Sequence, residues 1–122
     1  MGDDDKPIIC VDLDGVLNEF DSWKGADFFH PPRSGAREFL EELNRKGYRV
    51  VVFTVRWGPH VESWLAKWGL SEHVWMVTDK KPPAFAYIDD RAICFEGDFE
   101  RTLEDLTRRR RDTEIGRGED CF

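Results

Sequence analysis

The sequence predicts an α/β fold: one domain over residues 7–112, built as a three-layer α/β/α parallel sheet. Three observations carry that reading. The apolar runs IICV, RVVVF, VWMV and AFAYI are continuous rather than alternating, as in strands buried on both faces. Stretches of helical periodicity fall between them, which favours parallel crossovers over hairpins. A chain of 122 residues that is 40% hydrophobic, with nine Phe and five Trp, has apolar mass for one core.

Taken in order, PIICVDLDGV from Pro7 is a strand that stops at two aspartates and a glycine. A polar stretch from Asn18 to Arg33 follows, too short for a further domain but long enough for a flap, with Trp23, Phe28 and Phe29 scattered along it. Ser34 is the expected N-cap of AREFLEELNRKGY, where Phe39, Leu40 and Leu43 share a face and Gly47 closes the helix. RVVVFTVR is the second strand. Pro59 suits the first turn of the next helix, whose Val61, Trp64, Leu65 and Trp68 repeat at i, i+3, i+4 and i+7 before Gly69. Val74 to Thr78 is a third strand, KKPP breaks the chain, and AFAYIDD is a fourth strand ending, like the first, in acids. Ala92 to Phe95 is read as a fifth strand. A last helix runs from about Asp98 with Phe99, Leu103 and Leu106 inward, ending in Arg108 to Arg111.

Eighteen Lys plus Arg stand against 25 Asp plus Glu, a formal charge of −7, so broad attraction to nucleic acid or anionic lipid is not expected. Without a long apolar run or a basic-then-apolar leader, the expectation is a cytoplasmic protein with no membrane partner. Cys10, Cys94 and Cys121 fit neither a disulfide framework nor a zinc site. Residues 1–6 read as a tag or disordered head, since GDDDK resembles a protease-cleavage linker, and 113–122 as a polar tail.

In parallel sheets the site lies beyond the carboxyl ends of the strands. The polar residues interrupting the apolar runs sit there: Asp12 and Asp14, Thr54 and Arg56, Asp89 and Asp90. Four carboxylates in one crevice repel unless a cation neutralises them, and oxygen ligands with open positions point to Mg²⁺ completed by a substrate phosphate. The hydroxyl of Thr54 and the ammonium of Lys81 or Lys80 complete a shell for phosphoryl oxygens while one carboxylate attacks phosphorus.

The order VDLDGV, VVVFT, a lysine in KKPP, then YIDD resembles the four motifs of the haloacid dehalogenase (HAD) superfamily of phosphohydrolases, over about residues 8–96. The resemblance implies a Rossmann-like sheet and a Mg²⁺-dependent phosphatase working through an aspartyl-phosphate. It makes Asp12 the nucleophile and a metal ligand. Asp14 becomes the acid and base, with its backbone carbonyl on the metal, and Asp89 and Asp90 complete the metal set. Thr54 then bonds the phosphate, and Lys81, the lysine before proline, is preferred to Lys80. Gly15, Val55 and Arg56 are the substrate-binding candidates. The segments FTVR and IDDR are similar to the phosphatase domain of phage polynucleotide kinase and to small phage and bacterial members. The chain has no room for a cap, so an open site would admit a nucleotide or a polynucleotide end.

Two other readings stand beside this one. The first is a non-catalytic Mg²⁺-binding or protein-interaction module on the same scaffold. The second is a response-regulator receiver, whose lysine comes last rather than before the Asp pair. Arg56 is open between a substrate contact and a carboxylate pairing, and Arg91 reads as structural. His30, His60 and His73 read as non-catalytic, and Arg108 to Arg111 as a solvated helix face. Trp23, Phe28 and Phe29 are packing residues unless the flap stacks one of them on a base. The oligomeric state stays open: the sequence is compatible with an oligomer but does not indicate one.

Overall fold

The computed structural model of the chain describes residues 6–20, 23–25 and 28–112. Most of the expected head, the tail from 113, and residues 21, 22, 26 and 27 of the flap lie outside the described residues, as does Cys121. The described chain is a single α/β domain. Its strands are β1 (Ile8–Asp12), β2 (Arg49–Phe53), β3 (Met76–Thr78) and β4 (Ala86–Ile88). Its helices are α1 (Ala36–Arg45), α2 (Gly58–Lys67) and α3 (Phe99–Asp112), with a 3₁₀ turn at Ser71–His73. The sheet is all parallel in the order β3-β2-β1-β4.

Alternation within each strand divides the sheet into two faces. Ile9 and Val11 of β1 and Val50 and Val52 of β2 share one core with Ala36, Leu40 and Leu43 of α1 and Val61, Trp64 and Leu65 of α2. Both helices therefore cover the same face. Burying side chains such as Val11, Val52 and Leu40, all at 0% exposure, contributes about 1.5–3 kcal/mol each. On the opposite face the register aligns Tyr87, Cys10, Val51 and Met76 across the four strands. Cys10 and Val51 in the middle of that row are buried, while Met76 and Tyr87 at its ends are exposed.

Four expectations are corrected. The first residue before α1 is Gly35, not Ser34: it takes φ +89°, a left-handed geometry that serine adopts poorly, and no side chain caps the helix. The segment Ala92 to Phe95 forms no strand. Arg91 N–H turns back to Asp89 Oδ1 (2.8 Å), and Arg109 of α3 holds the carbonyls of Arg91 (2.6 Å) and Ala92 (3.1 Å), taking acceptors a fifth strand would use. Phe99, Leu103 and Leu106 face outward, because the half-buried side of α3 is polar: Thr102, Asp105 and Arg109. Trp68 ends α2 rather than continuing its core stripe and is 40% exposed. Gly47 does close α1, with its N–H on Asn44 O and that of Tyr48 on Leu43 O, both at 3.0 Å.

Candidate functional site

Register decides what meets at the carboxyl end of the sheet. Asp12 pairs with Phe53, Phe53 with Thr78, and Val11 with Ile88, so Asp12 and Asp89 leave adjacent strands at one level, with Thr54 one residue beyond it on β2. Asp12, Asp89 and Asp90 each offer a carboxylate oxygen within 4.8 Å of the others. Two anions beside a third that is half-buried is an unfavourable arrangement. Burial first, and Asp89 next, push the Asp12 carboxyl up to about 6, although the Leu13 N–H on Asp12 Oδ1 (3.0 Å) opposes the rise; Asp90 and Asp14 add to it. Burial likewise raises the thiol of Cys10, two residues before Asp12.

The chain then turns sharply through residues 13–17. Gly15 sits at φ +92°, and a Cβ there would meet the Asp90 carboxylate, with Cγ at 2.9 Å. Glycine is required twice over, for the left-handed backbone and for the approach of Asp90. Its backbone is already occupied: its N–H donates to Asn18 Oδ1 (3.0 Å) and its carbonyl accepts from Arg33 Nη2 (2.8 Å).

Asp14 belongs to a different neighbourhood. Its Oδ1 accepts from Asn18 Nδ2 (2.9 Å) and its Oδ2 from Arg56 Nε (2.8 Å). The Arg56 side chain is only 2% exposed, so this is a buried ion pair. Its guanidinium carbon lies 4.3 Å from the Phe29 ring centre and 4.9 Å from that of Trp23, which adds cation–π attraction and shields it from water. Of the two roles left open for Arg56, the carboxylate pairing is the one present.

Thr54 is buried, and its hydroxyl oxygen accepts from Arg56 N–H (3.1 Å), leaving its own proton to donate to a ligand. Val55 is exposed beside it. The two lysines differ. Lys80 is held by Thr78, which accepts its N–H (3.0 Å), and its ammonium is exposed near Asp79 at 3.7 Å. Lys81 lies 4.9 Å from the Tyr87 ring centre and close enough to β1 for its charge to oppose the rise at Cys10. Lys81 is thus the lysine that lies over Tyr87 of β4, the residue in register with Cys10 of β1.

Asp12, Asp89 and Asp90 come together through their carboxylates, while the Asp14 side chain turns to Arg56, which leaves its expected backbone-carbonyl role untouched. Two residues escaped the sequence reading, where they only marked the ends of the flap. Asn18, wholly buried, ties Asp14 to Gly15; Arg33 holds the carbonyls of Gly15 and Val16. They lie 15 positions apart and meet because Asn18 and Pro32 form an antiparallel bridge that pinches the flap shut at its base. No spacing rule marks such a pair. His30 lies at the flap's inner side, its carbonyl accepting from the Trp64 indole (3.0 Å).

Neither a protein-family model nor a curated protein matches the chain. The fold is similar to that of a conserved protein coded by a locus of Bacteroides thetaiotaomicron, at 19% identity and a TM-score of 0.57, covering 86% of this chain and 93% of that one. At that identity the likeness concerns the fold. Among the described residues no helix is long and apolar enough to cross a membrane.

Proposed function

We propose that this chain is a Mg²⁺-dependent phosphohydrolase of HAD type that removes phosphate from a nucleotide, a polynucleotide end or another phosphorylated substrate. The observation that carries the reading is the meeting of the Asp12, Asp89 and Asp90 carboxylates at the carboxyl end of the sheet, next to the end of β2 that carries Thr54. The donor set fits the ion: three hard carboxylate oxygens within 4.8 Å, with Asp12 destabilised as an anion until a cation neutralises it. Asp12, Asp89 and Asp90 would hold Mg²⁺, which when bound supplies charge neutralisation for the phosphoryl oxygens. The finer, three-layer reading of the fold is supported by Cys10 and Val51, buried on the sheet face away from α1 and α2.

An Asp12 carboxylate oxygen attacks phosphorus, the bond from phosphorus to the leaving oxygen breaks, and that oxygen takes up a proton. Water then attacks the aspartyl-phosphate, releasing phosphate and restoring Asp12. Thr54 O–H and the Lys81 ammonium hold the phosphoryl oxygens as charge builds on them. Asp14 is the proton carrier in this scheme, but both its oxygens are engaged, so Arg56 must loosen its bond to Oδ2 when substrate enters. A substrate phosphate is the natural competitor for that guanidinium, since it accepts the same fork of donors. Trp23, exposed beside Arg56, offers a face on which a base can stack, which favours nucleotide over sugar substrates, whereas Phe29 is taken up by Arg56 and by stacking on Trp64.

The test is phosphate release with Mg²⁺ from mononucleotides, 3′- and 5′-phosphorylated oligonucleotides and sugar phosphates, with Asp12→Asn as control. Turnover that the control abolishes is expected. Silence across the panel with Mg²⁺ binding intact would return the chain to the binding-module reading.

A further inference from the structure

Away from the acidic site, α3 carries an apolar stripe that the other described residues do not cover. Phe99, Leu103 and Leu106 are 76%, 62% and 51% exposed, and the Phe95 ring, 5.1 Å from that of Phe99, extends the patch. The helix is not misplaced by lack of anchorage. Asp98 caps it through the N–H groups of Glu100 (3.0 Å) and Arg101 (3.2 Å), and Arg109 fastens its polar side to the carbonyls of Arg91 and Ala92. With Thr102, Asp105 and Arg109 turned to the chain, the stripe is held facing out, and a contiguous exposed patch of large apolar residues marks an interaction surface.

The charge pattern of α3 says what fits it. Phe99, Leu103, Leu106 and Arg110 follow a 4-3-4 spacing, the seam of a coiled coil. At its surface the first half of the helix carries Glu100 and Glu104 with one base, Arg101, and the second half carries Arg108, Arg110 and Arg111. Such a helix complements a copy of itself running the other way. We propose that α3 pairs antiparallel with α3 of a second copy of this chain about a two-fold axis. Leu103 then meets the partner's Leu106, Phe99 lies under the partner's Arg110, and Glu100 faces the same basic end. A parallel pairing would set Arg108, Arg110 and Arg111 against the same three residues, which like-charge repulsion disfavours. Two fourteen-residue helices bury a small interface, so the dimer is reversible rather than obligate. It forms independently of the chemistry at the acidic site.

Sedimentation velocity of the full chain from roughly 5 to 500 µM tests the proposal, with a monomer giving way to a dimer expected across that range. Leu103→Asp should shift the midpoint upward at least about tenfold with unchanged circular dichroism, since that side chain stabilises nothing in the monomer. Arg110→Glu should weaken the dimer too, and Arg110→Glu combined with Glu100→Arg should restore it. A monomer at every concentration overturns the proposal. A dimer indifferent to Leu103→Asp overturns it as well, because association then runs through another surface, and failure of the charge swap to restore pairing overturns the antiparallel arrangement.

Discussion

Asp12 and Asp14 are two residues apart on one turn, yet their surroundings are opposite. Asp12 faces two more carboxylates and gains one backbone N–H, so its charge is left largely unbalanced. Asp14 faces a buried guanidinium and an amide, and both its oxygens are satisfied. One region has the carboxylates for the cation proposed above; in the other, both Asp14 oxygens already have partners. Placing identical side chains in contrasting environments is how a fold divides chemical labour between two carboxylates.

The contrast breaks most sharply at Asp12. Asp12→Asn keeps size and shape but removes the proposed nucleophile, so under the proposed function phosphate release should fall at least about 10³-fold, some 4 kcal/mol of barrier, with the fold intact by circular dichroism. Undiminished release would remove Asp12 from the chemistry. On the compensated side, Arg56→Ala strands Asp14 in a part-buried site and should cost about 3 kcal/mol in urea denaturation. A loss below about 0.5 kcal/mol, the scale of an exposed pair, would show that Arg56 does not balance Asp14.

Gly15→Ala acts where the regions join. Forcing alanine to φ +92° costs about 1–2 kcal/mol, and its Cβ pushes Asp90 away. Stability and Mg²⁺ affinity should drop together, the latter by calorimetry; unchanged affinity would take Asp90 out of the ligand set.

The smallest effect is a pH slope. Because the folded Asp12 carboxyl is raised from 3.8 to about 6, the folded state binds that proton more tightly than the unfolded chain. Its contribution is favourable below the unfolded value and is lost as pH rises through about 6. With screening of a half-exposed group, about 1 kcal/mol should disappear across that window in EDTA. Thermal unfolding of wild type and Asp12→Asn compares the two directly. The slope should vanish in the variant and flatten in Mg²⁺, whereas an equal slope in both proteins would assign it to other groups.

The strands, the parallel order and the acidic strand ends were legible because they rest on local pattern: unbroken apolar runs can be buried on two faces, and polar residues must then cluster where the runs stop. Gly35 in place of Ser34 and the missing fifth strand were not legible, since each depends on backbone geometry or on a distant arginine. Phe99, Leu103 and Leu106 show the limit of periodicity. The repeat identifies an apolar face without saying what it faces.

By itself the sequence determined the fold class and gathered Asp12, Thr54, Asp89 and Asp90 at one sheet end, because strand alternation and parallel order leave those residues nowhere else to go. Only the tertiary structure decided that Arg56 pairs with Asp14, that Asn18 and Arg33 brace the turn, and that Gly15 makes room for Asp90. Apart from the local bonds of Asn18 to Asp14 and Gly15, those choices depend on chain closure across 18 to 75 positions, where direction and distance, rather than composition or spacing, select the partner.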